Sequence, residues 1–377
     1  MSKELTENDV ENALKKSKSG SAAGIDGATY DLWKTLNERY KEDERAEKPA
    51  FNIVKLLTAV FNDVERHGVD KDTGFADGWM CPIYKKNDRN EISNYRPITL
   101  LNTDYKLLTK ALSVKLAEAA PTFFHENQAG FIPGRNIKDQ TKLTRMIMEY
   151  AEATEHNGMI VALDQEKAYD KIAHNYLWWT LEAFEIPKNF IQTVRSLYEH
   201  ASTKVMVNGH LSKSFHVERG VRQGDPLSCL LFDLAIEPLA EALRQSNPKG
   251  LKIPGSEERL IATLFADDTT TYLSEDDDFD ALEAILDEWC IGIASRANFN
   301  VTKTEIIPIG TEAFREGLIE TRTMKGLTNP IAANIHIVPD GENVRILGAW
   351  FGNKSELAAP WTPVSMKFSE SSRKADD

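Results

Sequence analysis

The sequence predicts an α+β fold, and three features carry that prediction. Val54, Leu57 and Phe61 recur at helical spacing over Phe51–Val64, as they would on the buried face of an amphipathic helix. Met159–Leu163 is instead a short, β-branched apolar run, the pattern of a strand covered on both faces. Asn208-Gly209, between Lys204–Val207 and Ser214–Val217, has the turn chemistry of a hairpin. The chain has 377 residues, 41% hydrophobic and 27% charged. It can bury a sizeable core and is long enough for one large domain or two to three ordinary ones.

The elements follow in order. Thr6 caps a first helix, with Asp9 three residues on and Val10, Ala13 and Leu14 along one face. Lys15–Gly27 is a small-residue, Gly-rich loop. Helical pattern resumes over Tyr30–Leu36, and Arg39–Lys48 reads as a charged, solvated connector. After the Phe51–Val64 helix come a short strand at Trp79–Tyr84 and a polar turn over Lys85–Ser93. Tyr105–Ala119 is a strongly periodic helix, and Lys142–Tyr150 begins another. Beyond the Met159–Leu163 strand, Tyr176–Phe184 and Phe190–Tyr198 are helical. Asp225 reads as the cap of a helix with Pro226 at its first position and Leu227, Leu230, Leu231 and Leu234 on its apolar face. Leu260–Phe265 and Thr269–Leu273 are strands joined by Ala266-Asp267-Asp268.

Composition excludes several classes. No apolar run approaches a membrane span, so no membrane partner is expected. The opening Met1-Ser2-Lys3-Glu4-Leu5-Thr6 lacks a secretory signal pattern. Cys81, Cys229 and Cys290 are too few and too scattered for a disulfide scaffold or a zinc site. With 45 Lys and Arg against 58 Asp and Glu, the net charge is −13, which taken alone disfavours a polyphosphate partner. The charge is uneven, however. Met80–Arg145 holds 11 cationic and 6 acidic residues, a basic strip of net +5 on a remainder of −18.

Two placements of carboxylates carry chemistry. Asp164 closes a core strand, and Asp267-Asp268 occupy the turn between two more. Carboxylates there are costly to desolvate, and a divalent cation removes that cost. On pattern alone a metal site and an ordinary Asp turn account for the pair equally well. Asp276-Asp277 and Asp376-Asp377 lie in polar surroundings and read as solvated. Gly220-Val221-Arg222-Gln223-Gly224 precedes a capped helix, so its backbone could meet a phosphate or base, although a plain helix-starting loop fits as well. No Walker motif, dinucleotide fingerprint or Ser-His-Asp arrangement is present, and the eight histidines read as structural or surface.

Taken together these segments resemble a known family. Asp164-Gln-Glu-Lys-Ala-Tyr-Asp170, Arg222-Gln-Gly-Asp-Pro-Leu-Ser228 and Phe265-Ala-Asp-Asp268, in that order, resemble the palm motifs of reverse transcriptases. Lys85-Lys86 with Asn94-Tyr-Arg-Pro-Ile-Thr-Leu-Leu-Asn102, and Gln128-Ala-Gly-Phe-Ile-Pro-Gly-Arg135, are similar to the fingers of non-LTR (LINE-type) retrotransposon polymerases. Phe299-Asn-Val-Thr-Lys303-Thr-Glu305 and Ile346-Leu-Gly348 resemble later palm segments, the second the primer grip. The resemblance covers roughly residues 20–353. It implies a right-hand polymerase fold, with helical fingers and a palm of antiparallel sheet backed by helices. Its expected segments are 1–48 (N-terminal extension), 49–150 (fingers), 151–310 (palm), 311–353 (palm end) and 354–377 (a disordered tail), with the thumb missing or truncated.

The resemblance also implies roles. Asp164, Asp267 and Asp268 would bind two Mg2+ ions, with Mn2+ as an alternative. Lys303 would stand near the leaving group as a general acid. Lys85 and Arg96 would meet the triphosphate of a deoxynucleotide, Tyr169 would gate against a ribose 2′-OH, and Gln223 and Gly224 would pack on the nascent pair. Arg135, Lys138 and Arg222 would touch template, and Asp170 would bond locally rather than bind metal. The implied activity is RNA-directed DNA polymerisation on an RNA template and DNA primer. The competing readings are a truncated, inactive relic or RNA-binding module, and a maturase-like protein, for which no maturase segment is visible. Family resemblance points to nuclear action, yet the sequence holds no clear basic import cluster, and it leaves the oligomeric state open.

Overall fold

The computed structural model describes residues 4–253, 255, 257–293, 299, 303–325 and 329–355. The expected tail, from residue 356 on, lies outside them. The strands are β1 (Asp77–Tyr84), β2 (Tyr95–Leu101), β3 (Gly158–Leu163), β4 (Ser202–Val207), β5 (His210–Leu211), β6 (Phe215–His216) and β7 (Leu251–Lys252). They continue with β8 (Arg259–Leu260), β9 (Ala262–Phe265), β10 (Asp268–Ser274), β11 (Glu305–Ile309), β12 (His336–Ile337), β13 (Val344–Ile346) and β14 (Ala349–Phe351). With eleven α-helices among the described residues, the fold is mixed α/β. The chain divides into two compact units, Met1–Phe124 with Tyr169–Ala235, and His125–Ala168 with Ile236–Asp377.

In the first unit β1 pairs antiparallel with β2 and parallel with β4, giving the order β2-β1-β4-β5 with β6 also on β4. The helix Thr103–Ala119 buries Tyr105, Leu107, Leu108, Ala111, Leu112 and Leu116, nearly its whole circumference. A helix apolar on most sides belongs inside a core rather than on a surface. Against it packs the helix Glu7–Lys15, which buries Val10 and Leu14 and is itself met by the helix Ile53–His67 with Phe61 buried. Thr6 closes the expected capping box with Asp9.

The second unit is built on a five-stranded sheet, β12-β11-β3-β10-β9, with β3 at its centre and antiparallel to both neighbours. Met159, Ile160 and Val161 on β3 are fully buried, as the unbroken apolar run requires. Ile160, Tyr272 and Ile307 share a cluster with Ile147 and Ala151 of the helix Ile137–Thr154, and with Val344, Ile346 and Phe351 of the β13–β14 hairpin. That hairpin turns on Leu347 and Gly348, both with positive φ, as a two-residue primed turn requires.

Several expectations change. Arg39–Lys48 is largely not a connector: one helix runs Tyr30–Arg45. Glu, Lys and Arg are good helix formers, and Lys41 ties the helix to Glu11 by an ion pair. The helix expected from Lys142 starts at Ile137, where the Asn136 side chain accepts from Lys138 N. Across Asn208-Gly209 the returning strand is His210–Leu211, while Phe215–His216 pairs with the start of β4. The Leu260–Phe265 run divides, β8 pairing with β7 and β9 with β10. Asp277 is 3% exposed, not solvated. Its carboxylate accepts from the backbone N–H groups of Ser274 at 2.8 Å, Gly250 at 2.9 Å, and Lys249. Cys81, Cys229 and Cys290 are free, and among the described residues no helix is long and apolar enough to cross a membrane.

One ion pair carries a stability prediction. Arg315, 1% exposed, forks onto Asp340 at 2.9 and 2.8 Å. The paired guanidinium holds the Asp340 carboxyl below its ordinary range. Asp340→Asn leaves a buried guanidinium short of its counter-charge and should cost about 3–5 kcal/mol near neutral pH. A depressed carboxylate stabilises above its unfolded pKa and loses that contribution as pH falls through its folded pKa. Urea unfolding should therefore show a gap between parent and variant that closes in acid.

Candidate active site

Register brings the acidic residues of the second unit to one end of its sheet. β3 ends at Leu163, opposite Thr269 of β10, so Asp164 and Asp268 extend neighbouring strands at the same edge. Asp267 lies one residue upstream, in the turn from β9, where Ala266 has φ +54°. On the other side β11 pairs Glu305 with Ala162, which carries Lys303 alongside Asp164. Lys303 Nζ stands 2.9 Å from Asp164 Oδ2, and the Asp164 side chain remains 40% exposed. An ammonium on a carboxylate that water still reaches compensates its charge weakly. The sheet thus presents acids and an exposed cation, Lys303, at an accessible rim.

The first unit holds the residues expected at the nucleotide in two places. On the β1–β2 hairpin, Ile83 pairs with Arg96 and Lys85 N donates to Asn94 O, so Lys85 and Arg96 are same-face diagonal neighbours. Both are exposed, and Tyr84 and Tyr95 meet edge-on across the opposite face. The second place joins Tyr169–Ile172 to the loop Gly220–Gly224. Gly220 N donates to Ile172 O and Val221 N to Tyr169 O, both at 2.7 Å. Tyr169 stacks on Phe232, centroids 4.4 Å apart and planes within 15°. Beside it, burial pushes the Cys229 thiol up to about 11, so it is a neutral, unreactive neighbour at physiological pH.

Gln223 and Gly224 pack on β2. Gln223 O accepts from Thr99 N at 2.8 Å, and its Nε2 donates to Asp170 Oδ1 at 3.3 Å. Gly224 has φ +117°, and a Cβ there would lie 2.2 Å from Thr99 O, so both conformation and space demand glycine.

The three residues expected at the template have different surroundings. Lys138 is exposed in the first turn of its helix. Arg135 reaches inward to the carbonyls of Gln128, at 2.5 Å, and His125. Arg222 is only 4% exposed. It donates to Ala76 O at 2.6 Å and Ser202 O at 3.3 Å, and its guanidinium lies 5.5 Å from the Tyr105 ring centre. Its position is that of an internal brace, because those carbonyls and the ring already occupy the planar group.

Asp225 corrects the simple cap expected of it. The helix begins at Ser228, and Asp225 is buried before it, accepting from Leu227 N and the Tyr105 hydroxyl, both at 3.0 Å. Gln128 and Gln140 went unnoticed as functional residues. Both are buried and bond to the β9 strand or its turn. Gln140 has no signal beyond an amide in ordinary helix text, while Gln128 heads the Gln128–Arg135 segment that resembles polymerase fingers.

The donor set suits a hard divalent cation: carboxylate oxygens at the end of an apolar sheet, with no soft ligand among them. Among the described residues, no three His, Cys, Asp or Glu side chains are gathered as a ready-made metal cluster. That is compatible with magnesium, which takes one or two carboxylates and completes its shell with water and phosphate oxygens.

The fold is mixed α/β, with acids at one end of an antiparallel sheet in the second unit and, in the first, a glycine-tightened loop on the hairpin that carries Lys85 and Arg96. Residues 83–351 match the family described as reverse transcriptase (RNA-dependent DNA polymerase), and the chain belongs to that family. It is 29% identical over 340 residues to the transposon TX1 uncharacterized 149 kDa protein of Xenopus laevis, covering 86% of this chain and 24% of that protein. To the Pol polyprotein of the retrotransposable element R2DM of Drosophila melanogaster it is 29% identical over 179 residues, 48% of this chain and 16% of the other. To the RNA-directed DNA polymerase from mobile element jockey of Drosophila funebris it is 27% identical over 268 residues, 67% and 28% respectively. The chain spans less than a third of each relative's length. The LINE-type resemblance in the sequence agrees with these relatives.

Burial raises the Asp225 carboxyl above its ordinary range, against the opposing pull of Leu227 N–H and Arg222. A raised carboxyl favours the fold below its unfolded pKa and loses that contribution as pH rises through the folded one. Asp225→Asn mimics the protonated form. Its stability relative to the parent should therefore improve as pH rises from the ordinary carboxylate range, read as urea midpoints at pH 4 and pH 8.

Proposed function

We propose that this chain is an RNA-directed DNA polymerase unit of a non-LTR retrotransposon, joining deoxynucleotides to a primer 3′-OH on an RNA template. The observation that carries this is the shared sheet edge of Asp164 and Asp268, with Asp267 in the turn beside them, in a chain of this family. The β3-centred sheet then corresponds to a palm and the β1–β2 hairpin to part of the fingers.

Asp164, Asp267 and Asp268 would hold Mg2+, or Mn2+. When bound, the ions lower the pKa of the primer hydroxyl and neutralise charge developing on the phosphates. The new bond would join the primer oxygen, its hydroxyl proton passing to water, to the α-phosphorus, and pyrophosphate would leave with the electron pair of the broken anhydride bond. Lys303, whose Nζ stands within reach of Asp164, would give a proton to that leaving group. Lys85 and Arg96, exposed on one face of the hairpin, would hold the triphosphate by charge, Arg96 also by its planar fork. The Tyr169 ring, fixed by stacking on Phe232, is stiff enough to exclude a 2′-hydroxyl. Gln223 and Gly224 would support the new base pair from a loop pinned to Thr99. Lys138 is the exposed template candidate, with Arg135 and Arg222 acting there through the backbone they hold.

Primer extension on an RNA template and DNA primer, with magnesium and then manganese, tests the proposal. The parent should extend, and Asp267→Asn should lose at least a hundredfold of the rate. A folded parent that binds RNA at low salt but never extends would favour an inactive relic instead.

A further inference from the structure

The Asp267-Asp268 turn begins at Ala266, whose left-handed backbone (φ +54°) is unfavourable for a residue with a Cβ. The two-residue hairpin loop between Phe265 and Asp268 calls for that conformation, and a bond from outside the loop offsets its cost at a non-glycine residue. Gln128, with 0% exposure, aims Oε1 at two backbone donors, Gly130 N at 2.8 Å and Ala266 N at 3.1 Å. The Gln128 carbonyl is held in turn by Arg135 Nη1 at 2.5 Å, and the same guanidinium reaches His125 O.

Backbone ties flank this contact. Ala129 N donates to Leu264 O and Leu264 N to Asn127 O, each at 2.8 Å. Gln140 Nε2 adds bonds to Leu264 O at 2.6 Å and Asn127 O at 2.9 Å. At Gly130 a Cβ would lie 2.3 Å from Ala266 N, so the approach requires glycine.

We propose that Gln128, clamped by Arg135, is a positioning residue that fixes the Ala266 turn and so aims Asp267 and Asp268; the chemistry those carboxylates perform rests on the polymerase reading above. One amide oxygen serves two buried N–H groups, and without it both are left unsatisfied. The turn then recovers bonding by relaxing Ala266 toward negative φ, which redirects the carboxylates that follow.

The test uses the full chain with Gln128→Met, which keeps the volume and removes the acceptor, and Gln128→Glu, which keeps an acceptor oxygen. Folding is checked by circular dichroism. Hydrogen exchange of the peptide covering Leu264–Asp268, Mn2+ affinity by electron paramagnetic resonance and steady-state primer extension are then compared. The Met variant should fold, exchange faster at the turn, bind Mn2+ about tenfold more weakly and lose roughly 10–100-fold in kcat, with the nucleotide KM unchanged. The Glu variant should recover most of each. Parental kcat and Mn2+ affinity in a folded Met variant would overturn the proposal, since Gln128 would then serve stability alone.

If the parent itself neither extends primers nor binds Mn2+, the polymerase reading fails, and exchange at the turn decides the role of Gln128. Faster exchange in Met but not in Glu supports it; unchanged exchange overturns it. Should the Met variant not fold, Gln128→Asn, which withdraws the acceptor by one methylene, takes its place with the same outcomes.

Discussion

Ending an apolar strand on a carboxylate constrains this protein more than any other single feature. β3 is buried along almost its whole length, and Asp164 follows it directly. Antiparallel pairing with β10 then fixes where Asp268 must lie, and pairing with β11 brings in Lys303. A one-residue slip would turn every apolar side chain of β3 to its opposite face, so the buried sheet enforces the register that collects the acids. Core packing and chemistry are therefore the same constraint. The sheet cannot satisfy one without setting the other.

Polar groups elsewhere show how backbone shape is held where the chain approaches itself closely. Arg222, Asp225 and Tyr105 form one buried group, and Arg135 and Gln128 another. In each an arginine binds main-chain carbonyls rather than an external anion. Loops carrying exposed chemistry lack regular hydrogen-bond ladders, and buried side chains supply the missing bonds. Exposed and structural arginines have the same sequence appearance, and burial separates Arg222 from Arg96.

That difference explains what the sequence disclosed. Met159–Leu163, the capping box at Thr6 and the helix through Tyr105 are legible because their signals are local: period, cap and length. The acidic turn was legible because strand-like residues bracket it. Asp277 reads as solvated because two of its three N–H donors, on Lys249 and Gly250, lie 28 and 27 residues away. The roles of Gln128, read only within a family-like segment, and of Asp225, read only as a helix cap, are hidden for the same reason. Their partners, Ala266 and Tyr105, are more than a hundred residues away, and no local periodicity encodes such a contact.

Iron-directed backbone cleavage would test the metal role of the sheet edge most directly. Fe2+ bound in place of magnesium generates hydroxyl radicals on reaction with peroxide and cuts the chain beside its ligands. Cuts should cluster at Asp164 and at Asp267–Asp268 and fade as Mg2+ is added. Cleavage confined to other segments, or cuts at these sites that Mg2+ does not suppress, would contradict a divalent-cation site built on the end of β3.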